Sequence, residues 1–235
     1  MTAVDVRRGN TRFHTKISWL DSWHSFSFGE HYDPANTHHG LLLVLNDDVV
    51  ASGGGFGTHP HRNMEIVTWV LDGALAHRDS EGNEGIITRD VAQRMSAGTG
   101  IRHSEMNASE TEPVHLLQMW VPPDRNGIPP GYEQRDVTGE IKPDEPFPLA
   151  SGREANAAIQ IHQRDATLWI ARLTAGSTVT VPDAPFVDVF VASGKVDDLN
   201  AGDAVRLTYA GKQTYTASED SELVIWETWS ELDGR

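Results

Sequence analysis

Apolar and β-branched residues gather in short runs along this chain, and the gaps between them are filled by Gly, Pro, Asn and Asp. Residues 41–45, 65–71, 114–121 and 187–191 are short and β-rich, and each predicts a strand. No long stretch keeps a helical period, so the rhythm of strands and turns predicts an all-β sandwich or barrel. Between residues 121 and 147 the pattern changes. Six prolines, from Pro122 to Pro146, lie among acidic residues there, and the segment reads as a connection that few strands cross. Strand signals resume at 168–173, 178–181, 204–209 and 222–227. A faint repeat, residues 85–95 against 194–207, supports two β units, expected at 1–135 and 136–235.

Composition narrows the functional classes. The 235 residues carry a formal net charge of -15, which opposes direct nucleic-acid contact and docking on an anionic membrane. There is no cysteine, so any metal must sit on nitrogen and oxygen. The N-terminus lacks the apolar core of a signal peptide and the run at 41–45 is too short to span a bilayer, so a cytoplasmic location is the default expectation.

Two segments carry the chemistry. His59 and His61 are two residues apart, as are His103 and Glu105; on extended strands each pair shares one face. Folding the strands together would converge three imidazoles and a carboxylate, a set suited to a divalent transition metal. Gly53, Gly54, Gly55 and Gly57 precede the first pair, and Gly98 and Gly100 the second, as turns that deliver strands. Glu65 is a rival carboxylate, an even number of residues from His61, and strand parity leaves both candidates facing inward. His24, His77 and His115 are expected to be hydrogen-bonded structural histidines, His38 and His39 to lie in a loop, and Trp69, Trp120, Trp169 and Trp226 to be core. After His115 the only histidine is His162, so the second half cannot repeat a three-histidine centre.

These segments resemble the two motifs of the cupin superfamily: Gly53, His59, His61 and Glu65 fit the first, and Gly100, His103 and Asn107 the second. The resemblance is closest to the pirin family, through residues 23–28, 32–34, 59–62, 65–71, 77–80 and 103–105. It is strong from Trp19 to Pro122 and thin beyond. Asn63-Met64 stands where Gly-Phe is common, and Arg102 where an apolar residue is common, which leaves substrate preference open.

The resemblance implies a bicupin, two antiparallel β-barrels of jelly-roll type packed face to face, with the metal in the N-terminal barrel and a degenerate C-terminal cupin without a metal site. It implies that His59, His61, His103 and Glu105 bind one divalent ion, Fe(II) being the first expectation and Zn, Mn, Ni, Co or Cu the others. The implied activity is that of a quercetinase, which opens the central ring of a flavonol with O2 and releases CO, Glu105 serving as ligand and general base. A regulatory protein whose metal oxidation state controls a protein partner is the alternative, and a non-redox cupin such as an isomerase is a third.

Overall fold

The computed structural model describes residues 2–232, and apart from a 3-10 turn at Gly9–Thr11 its regular elements are strands. The first half runs through β1 (Ala3–Arg7), β2 (Phe13–Lys16), β3 (Leu20–His24), β4 (Val44–Val50), β5 (Gly55–His61) and β6 (Glu65–Asp72). It continues with β7 (Ala74–Asp79), β8 (Glu84–Thr88), β9 (Val91–Ser96), β10 (Ile101–Asn107), β11 (Val114–Val121) and β12 (Gly131–Asp136). The second half holds β13 (Phe147–Ser151), β14 (Ile159–Gln160), β15 (Ala166–Leu173), β16 (Thr178–Thr180) and β17 (Phe186–Ser193). It ends with β18 (Lys195–Val196), β19 (Leu199–Asn200), β20 (Ala204–Thr208), β21 (Thr214–Thr216) and β22 (Ser221–Thr228).

Each half is a sandwich. In the N-terminal unit a seven-stranded sheet, β12-β9-β6-β11-β4-β3-β2, faces a four-stranded sheet, β5-β10-β7-β8. In the C-terminal unit the large sheet is β1-β20-β17-β22-β15-β13-β14, and the facing layer is reduced to the pairs β16-β21 and β18-β19. Among the described residues every strand-to-strand ladder is antiparallel except β13 with β14. The fold is thus the expected two-unit, jelly-roll arrangement, but neither unit is a closed barrel. Among the described residues no ladder joins the small sheets to the large ones.

The two units repeat one pairing scheme. Strand β6 pairs with β9 and β11 as β17 pairs with β20 and β22; β5 pairs with β10 as β16 pairs with β21. The corner glycines Gly73 and Gly194, at φ of 81° and 79°, mark equivalent points. The sequence repeat therefore ends in equivalent strands, β9 and β20, but its true starting register is Gly73 rather than Gly85. The segment 121–147 is more than a connection, since β12 within it completes the N-terminal large sheet beside β9. Reciprocally, β1 crosses to the C-terminal sheet beside β20.

The large sheets pack face to face across the main core. Val67, Trp69, Leu71, Leu117, Met119 and Val121 meet Leu168, Ile170, Val224 and Trp226. Because both faces of β6 and β11 are covered, these strands read as continuous apolar runs. The run at 41–45 differs: the strand begins only at Val44, and Leu41 and Leu42 fill the inter-unit core instead. Trp69 Nε1 donates to Glu222 Oε1 at 2.7 Å across the same interface.

Candidate metal centre and adjoining cavity

Strands β5 and β10 pair so that His103 lies opposite His59 and Ile101 opposite His61. A bulge then sets Glu105 opposite Phe56, with one extra residue on β5. That extra residue lets Phe56 share the inward face with His59 and His61, a re-aiming typical of bulges beside functional sites. Gly55 permits the close approach. A Cβ there would lie 2.6 Å from the Glu105 carbonyl oxygen and from Met106 Cα.

The three histidines converge as expected. His59, His61 and His103 present ring nitrogens within 4.8 Å of one another. His59 Nδ1 lies 2.7 Å from the Gly57 carbonyl, which can only accept, so Nδ1 carries the proton and Nε2 offers its lone pair. That Nε2 is 3.0 Å from His103 Nε2, and His61 Nε2 is buried with no protein partner. A spacing of 3.0 Å matches neighbouring nitrogens around an ion with perpendicular bonds of about 2.1 Å. Burial, with the neighbouring imidazoles adding to it, holds His103 down to about 2, and burial and His59 hold His61 down to about 4. Neutral imidazoles with inward lone pairs fit a divalent cation.

Glu105 is 3% exposed and accepts a 2.7 Å hydrogen bond from Gln118 Nε2. Burial pushes its carboxyl up to about 7, opposed by the Gln118 bond and reinforced by Asp48. It forms a second cluster with His103 and His77, their donor atoms within 4.8 Å. His77 Nε2 faces Asp79 Oδ2 at 3.2 Å, while His77 Nδ1 is buried without a partner. Asp79 is itself fixed by Asn83 and by the Glu81 amide. Hence His77 is hydrogen-bonded, as its sequence context suggests, and it also stands beside the candidate ligands His103 and Glu105.

Glu65 lies elsewhere. It is fully buried on β6, on the same face as Val67 and Trp69, and accepts from Ser96 Oγ at 2.9 Å and the His162 amide at 3.0 Å. Parity failed to separate it from Glu105 because residues 62–64 turn between β5 and β6, with Asn63 at φ 50°. The two strands belong to different sheets, so counting residues across the turn carries no facing information.

A cavity of about 560 Å3 opens beside His59, His61 and Glu105. Trp19, Leu20, Phe28, Phe56 and Trp120 form its apolar walls, and Trp120 meets the His61 ring edge-on at 4.9 Å. Trp120 is therefore a wall residue as well as a packing residue, whereas Trp69 and Trp226 are core as expected. Gln118, Asn46, Asp48, Ser22 and His24 line it too, and sequence reasoning passed over the first four. The signal was present: Asn46, Asp48 and Gln118 interrupt otherwise apolar inward positions of β4 and β11.

In the C-terminal unit, Val179 and Tyr215 occupy the facing position on β16 and β21, and the interior is one apolar cluster. Among the described residues, no helix is long and apolar enough to cross a membrane.

Comparison with known proteins places these features. Residues 5–121 match the Pirin family, and residues 148–227 match the quercetinase C-terminal cupin domain. A relative from Mycobacterium tuberculosis, provisionally named quercetin 2,3-dioxygenase, is 54% identical over 239 residues, 99% of this chain and 98% of its own. One from Escherichia coli named quercetin 2,3-dioxygenase is 55% identical over 132 residues, covering 56% of this chain and 57% of its own. The crystal structure of a bacterial pirin from Escherichia coli in complex with nickel(II) aligns with a TM-score of 0.90 at 36% identity, covering 98% of this chain and 100% of that one.

Proposed function

The chain belongs to the pirin family, and from that premise we propose that it is a metal-dependent dioxygenase with quercetinase activity, opening the central ring of a flavonol with O2 and releasing CO. The observation that carries the proposal is the position of His59, His61 and Glu105: they line a largely apolar cavity, with His103 converging on them, rather than a closed structural site. His59, His61, His103 and Glu105 would hold one divalent transition ion, with Fe(II) as the first expectation. Such an ion acidifies a hydroxyl bound to it and supplies the redox partner that O2 chemistry requires.

The remaining work falls to side chains. Glu105 accepts the proton of the flavonol hydroxyl at a carboxylate oxygen, and burial favours the protonated carboxyl that results. Gln118 Nε2 holds the carboxylate in place. Trp19, Phe28, Phe56 and Trp120 enclose the planar rings and displace water. The E. coli and M. tuberculosis relatives carry names that agree with this reading.

The test is quercetin absorbance and CO release with metal-loaded protein, in air and under argon. Loss of absorbance that requires both metal and O2, with CO formed, is the expected result. Metal-loaded protein that leaves quercetin intact in air, but binds a protein partner differently when oxidised, would replace this reading with the regulatory one.

A further inference from the structure

Arginines are seldom left alone in this chain, and the exceptions lie together. Among the described residues every arginine but four has a carboxylate partner. The four are Arg62, Arg102, Arg125 and Arg164. Arg62 and Arg102 line one shallow groove of about 520 Å3, and Arg125 and Arg164 line a second of about 430 Å3. The two grooves adjoin: the Gly127 amide donates to Asn63 Oδ1 at 2.9 Å, and the Thr99 amide donates to the Ile128 carbonyl at 2.8 Å. In a chain of net charge -15, neighbouring cations that repel one another and have no internal counter-charge mark a place for an anion from outside.

The first groove is the better equipped. Arg102 stands opposite Pro60 across the β5–β10 ladder, so Arg62, two residues further on, is its diagonal neighbour. Such neighbours have Cβ atoms about 7 Å apart, close enough for two long side chains to close on one ligand. Each arginine is the exposed neighbour of a candidate metal ligand, Arg62 of His61 and Arg102 of His103. Ser80 Oγ accepts from the Arg102 amide at 3.1 Å, which leaves its hydroxyl hydrogen to donate. Thr99 adds a second hydroxyl, and Pro60 and Ile101 an apolar edge. No carboxylate lines this groove, whereas Asp124 lines the second.

Charge sets the size of the ligand. A long polyanion would extend over the acidic remainder of the surface, while a small one meets only the arginines, because exposed charges beyond about 8–10 Å are screened. Two guanidinium groups call for two negative charges, and their forked N–H donors match the oxygens of a phosphate. We propose that Arg62, Arg102, Ser80 and Thr99 form a site for a phosphate dianion, carried on a small organic ester or free. His61 lines both this groove and the cavity, so the anion sits beside the metal centre but outside the aromatic pocket. Arg102 is also where this chain departs from the family pattern, which makes the site a property of this chain. It stands whether or not the cavity takes flavonols.

Calorimetric titration of the metal-loaded protein, at constant ionic strength and about pH 7.5, tests this with phenyl phosphate, inorganic phosphate and benzoate; a phosphate monoester, with its second pKa about 6, is dianionic there. The tighter of the two phosphates should bind with a Kd of about 5 mM or below, and benzoate, with one charge, at least about tenfold more weakly. Tighter binding of phenyl phosphate would assign the ester, and tighter binding of inorganic phosphate the free ion. Arg62→Gln and Arg102→Leu should each weaken phosphate binding at least about tenfold. Arg78→Gln, which removes a paired cation outside the groove, should not. Both groove arginines are exposed, and unchanged urea midpoints without phosphate would verify that the variants fold. A Kd above about 5 mM for both phosphates, benzoate binding as tightly as phosphate, or an unchanged Kd in Arg102→Leu would overturn the site. The last result would place the phosphate on the metal ion or elsewhere.

Discussion

Asp48 offers a sharp test of how the polar interior is held. It is 2% exposed, its one protein hydrogen bond comes from Ser22, and burial raises its carboxyl from 3.8 to about 7. The folded state therefore binds this proton more tightly than the unfolded chain does. The associated stability is present at low pH and is lost as pH climbs from about 4 through about 7. A shift of about three units at about 1.4 kcal/mol each amounts to about 4 kcal/mol, and with so little exposure there is no solvent screening to discount. Asp48→Asn keeps the shape and the Ser22 bond but cannot ionise. In chelator-treated protein, urea unfolding should show the variant gaining about 3 kcal/mol relative to the parent between pH 5 and pH 8, at unchanged m. A relative stability that stays constant over that range would refute the assignment of a buried, protonatable carboxyl at this position.

Three further outcomes follow from the centre. Glu105→Gln should weaken metal binding at least about tenfold in chelator competition, whereas Glu65→Gln should bind metal within about threefold of the parent while losing about 1–3 kcal/mol of stability from its Ser96 and His162 bonds; the opposite pattern would move the fourth ligand to Glu65. Asp79→Asn replaces the acceptor that sets the His77 tautomer and should cost about tenfold in metal affinity with little change in unfolding, and unaltered affinity would reduce His77 to packing. Gly55→Ala should destabilise by about 2 kcal/mol or more and impair metal binding, since its methyl would drive into the β10 backbone at Glu105; a stable variant with normal metal uptake would show that β5 can retreat.

Much of this was readable from residues alone. Strands β6 and β11 announced themselves because both faces are buried, and the His-X-His and His-X-Glu spacings named the converging side chains because strand parity holds within a strand. Parity does not survive a turn, which is why Glu65 stayed level with Glu105 until the turn at 62–64 was seen to separate two sheets. Strands β1 and β12 escaped because edge strands bury little: their alternation is largely polar or exposed, and their partners lie far along the chain. The cavity wall was hidden for another reason. Asn46, Asp48 and Gln118 become a surface only when three strands align their rows, and that alignment is a property of register.

The exchanged edge strands bear on how the molecule is assembled during synthesis. The large sheet that faces the strands of the candidate metal centre is complete once β12 has emerged, whereas β1, made first, must hold until Thr208 exists to receive Ala3. Without β1 the β20 edge of the second unit has no cover, a strand margin open to foreign pairing. A chain divided at 135/136, the boundary proposed from the sequence, would strand β1 with the wrong half and leave that margin bare. The first few residues thus act as a clasp fastened last, and an extension added before them would lie next to the second unit rather than the first.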